Sequence, residues 1–377
     1  MRVTFLTIMP SPYSLDLYAA IEVDGRIVPR VLYLEMAAPG TYWGDVPLPD
    51  SAEILAGGWK NFAGGRIHWN PGAIEAIRRS RPDLVVVSGY SSLTSQLVMR
   101  WLNWKRIPWI FWGEIPGVRK LGRLSSYLRT LAQVPFLRRA NAIAGMGARA
   151  VAEYRRLARP GCEVVNIPYH TDLSKFLELP LERGTGGVRI LYCGQLIERK
   201  GVGVLIDAYA EVADELPELE LVLLGEGPLR QALAERVPPR LRGRVDFAGF
   251  HPIDRLPSFF GSSDIFVLPS LHDGWGVVVN QALGAGLPII CSNAVGAAPD
   301  LVSPGQNGFI VPPGDPAALA GAIRSLAADP ERRKAFGRNS RAAAHEWVPA
   351  RGVDRWVDLV DRVLQGTVAG HAQSLNE

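Results

Sequence analysis

The 377-residue sequence has only three cysteines, Cys162, Cys193 and Cys291, far apart in apolar or strand-like segments. Such spacing excludes a disulfide framework and a thiolate metal site, and it predicts free buried thiols in a reducing compartment. The six histidines show no ligand spacing either, and no cluster of acids is arranged to hold a divalent ion. There is no G-x-G-x-x-G after a strand with an acid about 20 residues on, which argues against a dinucleotide oxidoreductase. The longest uncharged run, Gly274 to Pro299, is interrupted by Asn280, Gln281, Pro288, Asn293 and several glycines, so it does not read as a membrane span. MRVTFLTIMP has too short an apolar stretch for a secretory leader and reads as a first strand, giving an expectation of a cytoplasmic chain.

What remains is ordinary globular composition, 47% hydrophobic and 21% charged, at a length that suits two domains. Charge is divided unevenly. Residues 1–180 hold 22 Lys/Arg against 14 Asp/Glu, and the rest hold 19 against 23. A basic first half suits an anionic surface or acceptor, and no feature suggests nucleic acid.

Apolar strands alternate with helical stretches through both halves, as in parallel sheets covered on both faces. In the first half the strands are expected at Val3–Ile8, Pro29–Leu34, Leu84–Ser88, Trp109–Trp112, Ala142–Ala144 and Glu163–Asn166. Helices are expected at Pro71–Ser80, Thr94–Trp104, about Leu121–Leu131 and Ala148–Leu157. Residues 36–66, with Tyr42, Trp43, Trp59 and Phe62, read as a long surface excursion. Loops at strand ends are candidates for a binding cleft: Met9–Tyr13 with Ser11, Pro12 and Tyr13, Gly89–Ser92 with Tyr90, and Gly113–Gly117 with Glu114. Residues 117–139 are basic and amphipathic, a candidate contact for an anionic membrane or a solvated helix face. A linker is expected at 173–187. Domains are therefore drawn at 1–172 and 188–347, with a terminal helix and tail at 348–377.

The second half centres on LPSLHDGWGVVVNQALGAGLPIIC, Leu268 to Cys291. It reads as a buried strand, a glycine turn carrying Asp273, a short helix carrying Gln281, and another buried strand. A glycine turn opening a helix presents backbone N–H groups to an anion. Polar groups on both sides then suit a ligand with a central diphosphate and a hydroxylated group at each end. Earlier, Gly194–Gly201 carries Lys200 on a glycine loop opening a helix, a second diphosphate signal.

DGWGVVVNQALGAGLPII resembles the donor signature of the retaining GT-B glycosyltransferases called family 4 (glycosyl transferases group 1). It departs from that signature with Asp273 for the usual first Glu and the amide Gln281 for the second. GQLIERKG resembles the pattern G-R-L-x-x-x-K-G, with Gln195 for its arginine and Arg199 as a substitute cation. Ile167–Asp172 stands at the place of the family's interdomain turn and reads as a hinge. The resemblance implies two Rossmann-like domains facing across a cleft, with the terminal helix crossing back to the first. It further implies retaining, metal-independent hexosyl transfer from a UDP or GDP sugar to a glycan, lipid-linked or small-molecule acceptor, with no cofactor and a role in polysaccharide or glycoconjugate synthesis. On this reading Asp273, Lys200 and Glu114 are catalytic. Gln195, Arg199, Gly225, Gly227, Phe250, His251, Gly274, Trp275, Gly276 and Gln281 hold the donor. Two further readings stay open, a non-catalytic GT-B homologue that binds a nucleotide or partner and a sugar-nucleotide epimerase on the same fold.

Overall fold

The computed structural model describes residues 1–37, 47–62, 65–89, 92–115, 135, 137–182 and 186–374. Tyr42, Trp43, Tyr90, the helix expected over Leu121–Leu131, and residues 117–139 apart from 135 and 137–139 lie outside them. The chain divides into two compact units. Met1–Thr171 and Pro349–Glu377 form one, and Asp172–Val348 forms the other.

The first unit has strands β1 (Arg2–Thr7), β2 (Val28–Tyr33), β3 (Ala52–Ile54), β4 (Gly58–Phe62), β5 (Gly65–Trp69), β6 (Leu84–Ser88), β7 (Trp109–Gly113), β8 (Ala142–Gly145) and β9 (Glu163–Asn166). Its helices include α1 (Pro12–Asp24), α2 (Ala73–Ser80), α3 (Leu93–Lys105) and α4 (Ala148–Leu157). Seven strands form one parallel sheet in the order β3-β2-β1-β6-β7-β8-β9, while β4 and β5 pair as a separate antiparallel hairpin. Continuous apolar strands leave no polar face, so alternate residues feed two cores. Phe5, Val86, Ile110 and Trp112 serve one, and Leu6, Val87, Trp109 and Phe111 serve the other. The terminal helix, Pro349–Ser374, closes the first core. Trp356 meets Phe5 and Trp112 edge-on at centroid distances of 5.5 and 5.2 Å, which explains why the chain returns to its first unit.

Two expectations for this unit fail. Residues 36–66 are not all loop, because Ala52–Ile54 extends the sheet beside β2 and Gly58–Trp69 makes the hairpin. Three-residue and glycine-rich strands are too short to show periodicity. Met9–Tyr13 is not a loop throughout. Ser11 caps α1, its hydroxyl accepting from Ser14 N, and Pro12 occupies the first helical turn, where its missing N–H costs nothing.

The second unit has β10 (Val188–Cys193), β11 (Leu219–Leu224), β12 (Val245–Gly249), β13 (Ile265–Leu268), β14 (Ile289–Ser292) and β15 (Gly308–Val311). They form one parallel sheet in the order β12-β11-β10-β13-β14-β15. Its helices include α5 (Ser174–Leu177), α6 (Val202–Ala213), α7 (Arg230–Arg236), α8 (Leu256–Gly261), α9 (Val278–Gly284), α10 (Ala298–Leu301), α11 (Pro316–Ala327) and α12 (Pro330–Ala344). The expected linker is partly structural. Phe176 of α5 meets Phe260 at 5.2 Å, and the Arg341 guanidinium donates to the carbonyls of Leu177 and Leu179. The strand order reverses between β10 and β13, and in open parallel sheets ligands bind beyond the strand ends at such a switch.

Candidate functional site

Beyond β10 the backbone makes a tight turn over Glu198–Lys200, and Gly201 turns left-handed to open α6. Beyond β13, Leu271 N and His272 N donate to Arg199 O at 2.8 and 3.2 Å, clamping the two switch-point loops together. Two residues 73 apart in sequence thereby meet. Lys200 Nζ lies 2.5 Å from Asp273 Oδ2, with the side chains only 11% and 10% exposed. Arg199 Nη1 approaches Asp273 Oδ1 at 3.5 Å but is half exposed. Ser270, fully buried, sits within 3.5 Å of the same carboxylate, and the Ser292 hydroxyl donates to Ser270 O from the neighbouring strand. Sequence reasoning missed both serines; each lies at or just beyond the end of an apolar strand, which is the only signal available.

A buried ion pair stabilises little by itself, since desolvation offsets its attraction, yet removing one partner strands a buried charge. Its value lies in holding an ammonium and a carboxylate in one fixed geometry. Cys193, at the end of β10, and Cys291, in β14, lie near the pair. Burial pushes both thiols up, Cys193 to about 12, while Lys200 opposes the shift, so both stay protonated.

The signature turn is held from behind by the loop after β14. Asp273 N donates to Ala294 O at 3.1 Å, Gly296 N to Asp273 O at 3.1 Å and Ala297 N to Trp275 O at 2.9 Å. Gly276 takes φ +93°, which a side chain would strain. The N–H groups of Gly274 and Gly276 meet no backbone acceptor among the described residues. Helix α9 begins at Val278, so Gln281 lies in its first turn. Gln281 is 5% exposed, and its Oε1 is buried with no hydrogen-bond partner among the described residues. An orphaned buried acceptor is uncommon and marks a place where a donor group is wanted.

Other expected donor residues divide by role. Trp275 is 2% exposed, its indole N–H donating to Asn280 Oδ1 at 2.9 Å and its ring meeting Trp347 at 6.1 Å. Its side chain is therefore a prop for the turn. Gly225 and Gly227 let the loop after β11 press against the loop after β10, where any side chain would run into the Gly194 and Leu196 carbonyls. Gln195 is half-buried, and its carbonyl accepts from Tyr192 Oη at 2.8 Å. Phe250 is 50% exposed beyond β12, whereas His251 turns back, with Nε2 3.1 Å from Ala248 O and its ring against Phe259.

In the first unit, Glu114 is exposed just beyond β7. Tyr169 Oη donates to Glu114 Oε1 at 3.3 Å, and the Tyr169 ring meets Tyr13 edge-on at 4.8 Å and Trp112 at 6.0 Å. Burial, with the facing carboxylate, pushes the Tyr169 phenol well up, so it stays a donor. Tyr169, read from sequence as part of a hinge, thus joins Glu114 and Tyr13. Ser11 and Pro12 serve the start of α1 instead, since Ser11 is buried in its capping box.

No group of three or more His, Cys, Asp or Glu is placed to hold a metal among the described residues, and no described helix is long and apolar enough to cross a membrane.

Residues 180–343 match the model of the family described as glycosyl transferases group 1. The alpha-D-kanosaminyltransferase of Streptomyces kanamyceticus is 28% identical over 229 residues, 58% of this chain and 59% of that protein. The GDP-mannose-dependent alpha-(1-6)-phosphatidylinositol monomannoside mannosyltransferase of Mycolicibacterium smegmatis is 27% identical over 213 residues, 52% and 53% of the two chains. The chain thus spans little more than half the length of these relatives. Among solved structures, sucrose-phosphate synthase of Thermosynechococcus elongatus superposes with TM-score 0.71 at 20% identity, covering 97% of this chain and 100% of that one. HepE of Anabaena, in complex with UDP, gives 0.73 at 18% identity, covering 96% and 100%. These likenesses establish the GT-B fold, the architecture expected from the sequence.

Proposed function

We propose, from a GT-B chain whose residues 180–343 match the glycosyl transferases group 1 model, a glycosyltransferase that moves a hexose from a nucleoside-diphosphate sugar with retention of configuration. The observation that carries this reading is the Lys200–Asp273 pair at the β10/β13 switch point. A diphosphate arriving there meets Lys200, Arg199 and the amides of Gly274 and Gly276, which take up charge as the glycosidic bond breaks. Asp273, partnered with Lys200, faces the adjoining sugar and accepts from its hydroxyls. The Gln281 amide oxygen, which has no partner among the described residues, accepts from the ribose of the nucleotide. The proposed acceptor side is the cluster of Glu114, Tyr169 and Tyr13, where a carboxylate and two aromatic rings suit a hydroxyl-bearing sugar ring. Because Lys200 and Arg199, offset by the single charge of Asp273, leave a net positive charge that acts on the diphosphate together with the Gly274 and Gly276 amides, the reaction we propose proceeds without a divalent ion, and EDTA should leave the rate unchanged.

The test is a panel of UDP and GDP sugars. Thermal shift identifies the donor, since a ligand stabilises by mass action. NMR of the transfer or hydrolysis product then reads the anomer. The expected result is one preferred donor and a product that keeps its anomeric configuration. Donor binding without turnover on any acceptor would favour a non-catalytic nucleotide binder. Interconversion of free nucleotide sugars would favour an epimerase.

A further inference from the structure

Helix α3 has an outward face unlike that of a helix exposed only to water. Its inward stripe, Val98, Met99 and Leu102, is buried under the sheet. On the opposite side Leu93, Leu97, Arg100 and Trp104 follow at spacings of four, three and four, which sets them in one line along the helix. Leu93 is 41% exposed and Trp104 73%, the most exposed tryptophan among the described residues. A water-facing helix stripe is normally charged and polar. This one is mostly apolar, and its charge is of one sign. No acidic residue occurs between Asp83 and Glu114, whereas Arg100, Lys105 and Arg106 do. Lys105 Nζ lies 4.0 Å over the Trp104 ring.

The hairpin lies against the start of the helix. Asn70 N donates to Thr94 Oγ1 at 2.8 Å and Thr94 Oγ1 to His68 O at 3.2 Å, which sets Trp69, 50% exposed, beside the first turn of α3.

We propose that this face is a docking surface for an anionic lipid bilayer, with α3 lying in the plane of the headgroups. Tryptophan prefers the headgroup level, leucine the acyl boundary beneath, and arginine and lysine the lipid phosphates. Charge selects the bilayer over a second copy of this chain, because a two-fold contact here would set the cations against themselves. The inference is independent of the transfer reaction and of the donor site.

The experiment sediments the full chain with phosphatidylcholine vesicles, with and without phosphatidylglycerol, at low and high salt. Anionic vesicles should bind about tenfold or more tightly than neutral ones, less so at high salt. Trp104→Ser and Arg100→Gln/Lys105→Gln should each cut that binding about tenfold, while both keep the wild-type unfolding transition and hydrolysis of a nucleotide-sugar donor. Equal partition onto both vesicle types overturns the proposal. So does anionic binding that survives both variants and is lost instead in Arg119→Gln/Lys120→Gln/Arg123→Gln. A concentration-dependent dimer that Trp104→Ser abolishes would overturn it too, by showing that a second copy covers the face.

Discussion

The two units share an architecture and differ in how their strand-end loops are built. In the second, the loops beyond β10, β11, β13 and β14 press backbone to backbone, and the polar groups between them are buried. In the first, Glu114 stands exposed and is approached by a tyrosine hydroxyl, within a group of half-buried rings. On the proposed reading, a diphosphate is the same in every nucleotide sugar, so a rigid, desolvated cradle would serve any of them. Acceptors differ, and side chains at the edge of a loop can change without disturbing a core. The comparison predicts that breaking the buried Lys200–Asp273 pair changes stability and activity together, while substitutions on the proposed acceptor side separate them.

The sharpest contrast is at Asp273. Asp273→Ala should cut turnover by a hundredfold or so, about 3 kcal/mol in the barrier, by removing the proposed contact to the sugar. It should also destabilise the fold by about 3 kcal/mol or more, because Lys200 would be left buried and unpaired. Asp273→Ala/Lys200→Met should restore the urea midpoint but not the activity. Recovery of turnover in the double variant would remove the pair from the chemistry.

Next in size is a pH effect in the first unit. His170 is fully buried, and burial, with Arg355 adding to it, lowers its pKa from 6.5 to about 4. The folded state therefore disfavours protonation. Stability is intact above the unfolded value of 6.5 and falls as pH drops through 6.5 towards 4, by up to about 3 kcal/mol below that. Urea unfolding at neutral and mildly acid pH should show the loss, and His170→Leu should flatten it. An unchanged slope in the variant would assign the acid sensitivity elsewhere.

Gln281 tests the donor cradle more gently. Gln281→Leu should loosen the best nucleoside diphosphate about tenfold, roughly 1.4 kcal/mol by calorimetry. Its stability should hold or rise, because a buried oxygen without a partner is removed. Wild-type affinity would end the ribose assignment. The smallest effect is expected at Tyr169→Phe, which deletes one hydroxyl from Glu114 and keeps the ring packing. Transfer should fall only a fewfold, about 1 kcal/mol, with the urea midpoint unmoved. Loss of stability there would mean that the acceptor side is also a structural cradle.

The long elements were legible because each carried enough residues to show a period. Continuous apolar runs such as Leu84–Val87 and Leu221–Leu224 could only be buried strands between covering helices. The signature glycines and Lys200 were legible because close backbone approach leaves few residues able to stand there. The hairpin, β3, and the start of α1 were not, since each is decided within three to five residues or by a cap.

By itself the sequence determined the alternating α/β pattern, the second-half motif and the charge division, all properties of neighbours along the chain. Only the tertiary structure decided which groups meet. It paired Lys200 with Asp273, turned Trp275 into a prop, left Gln281 Oε1 without a partner among the described residues, and brought Tyr169 to Glu114. Those are contacts between strand ends that are adjacent in a sheet and distant in sequence, and no local periodicity encodes which strand lies beside which.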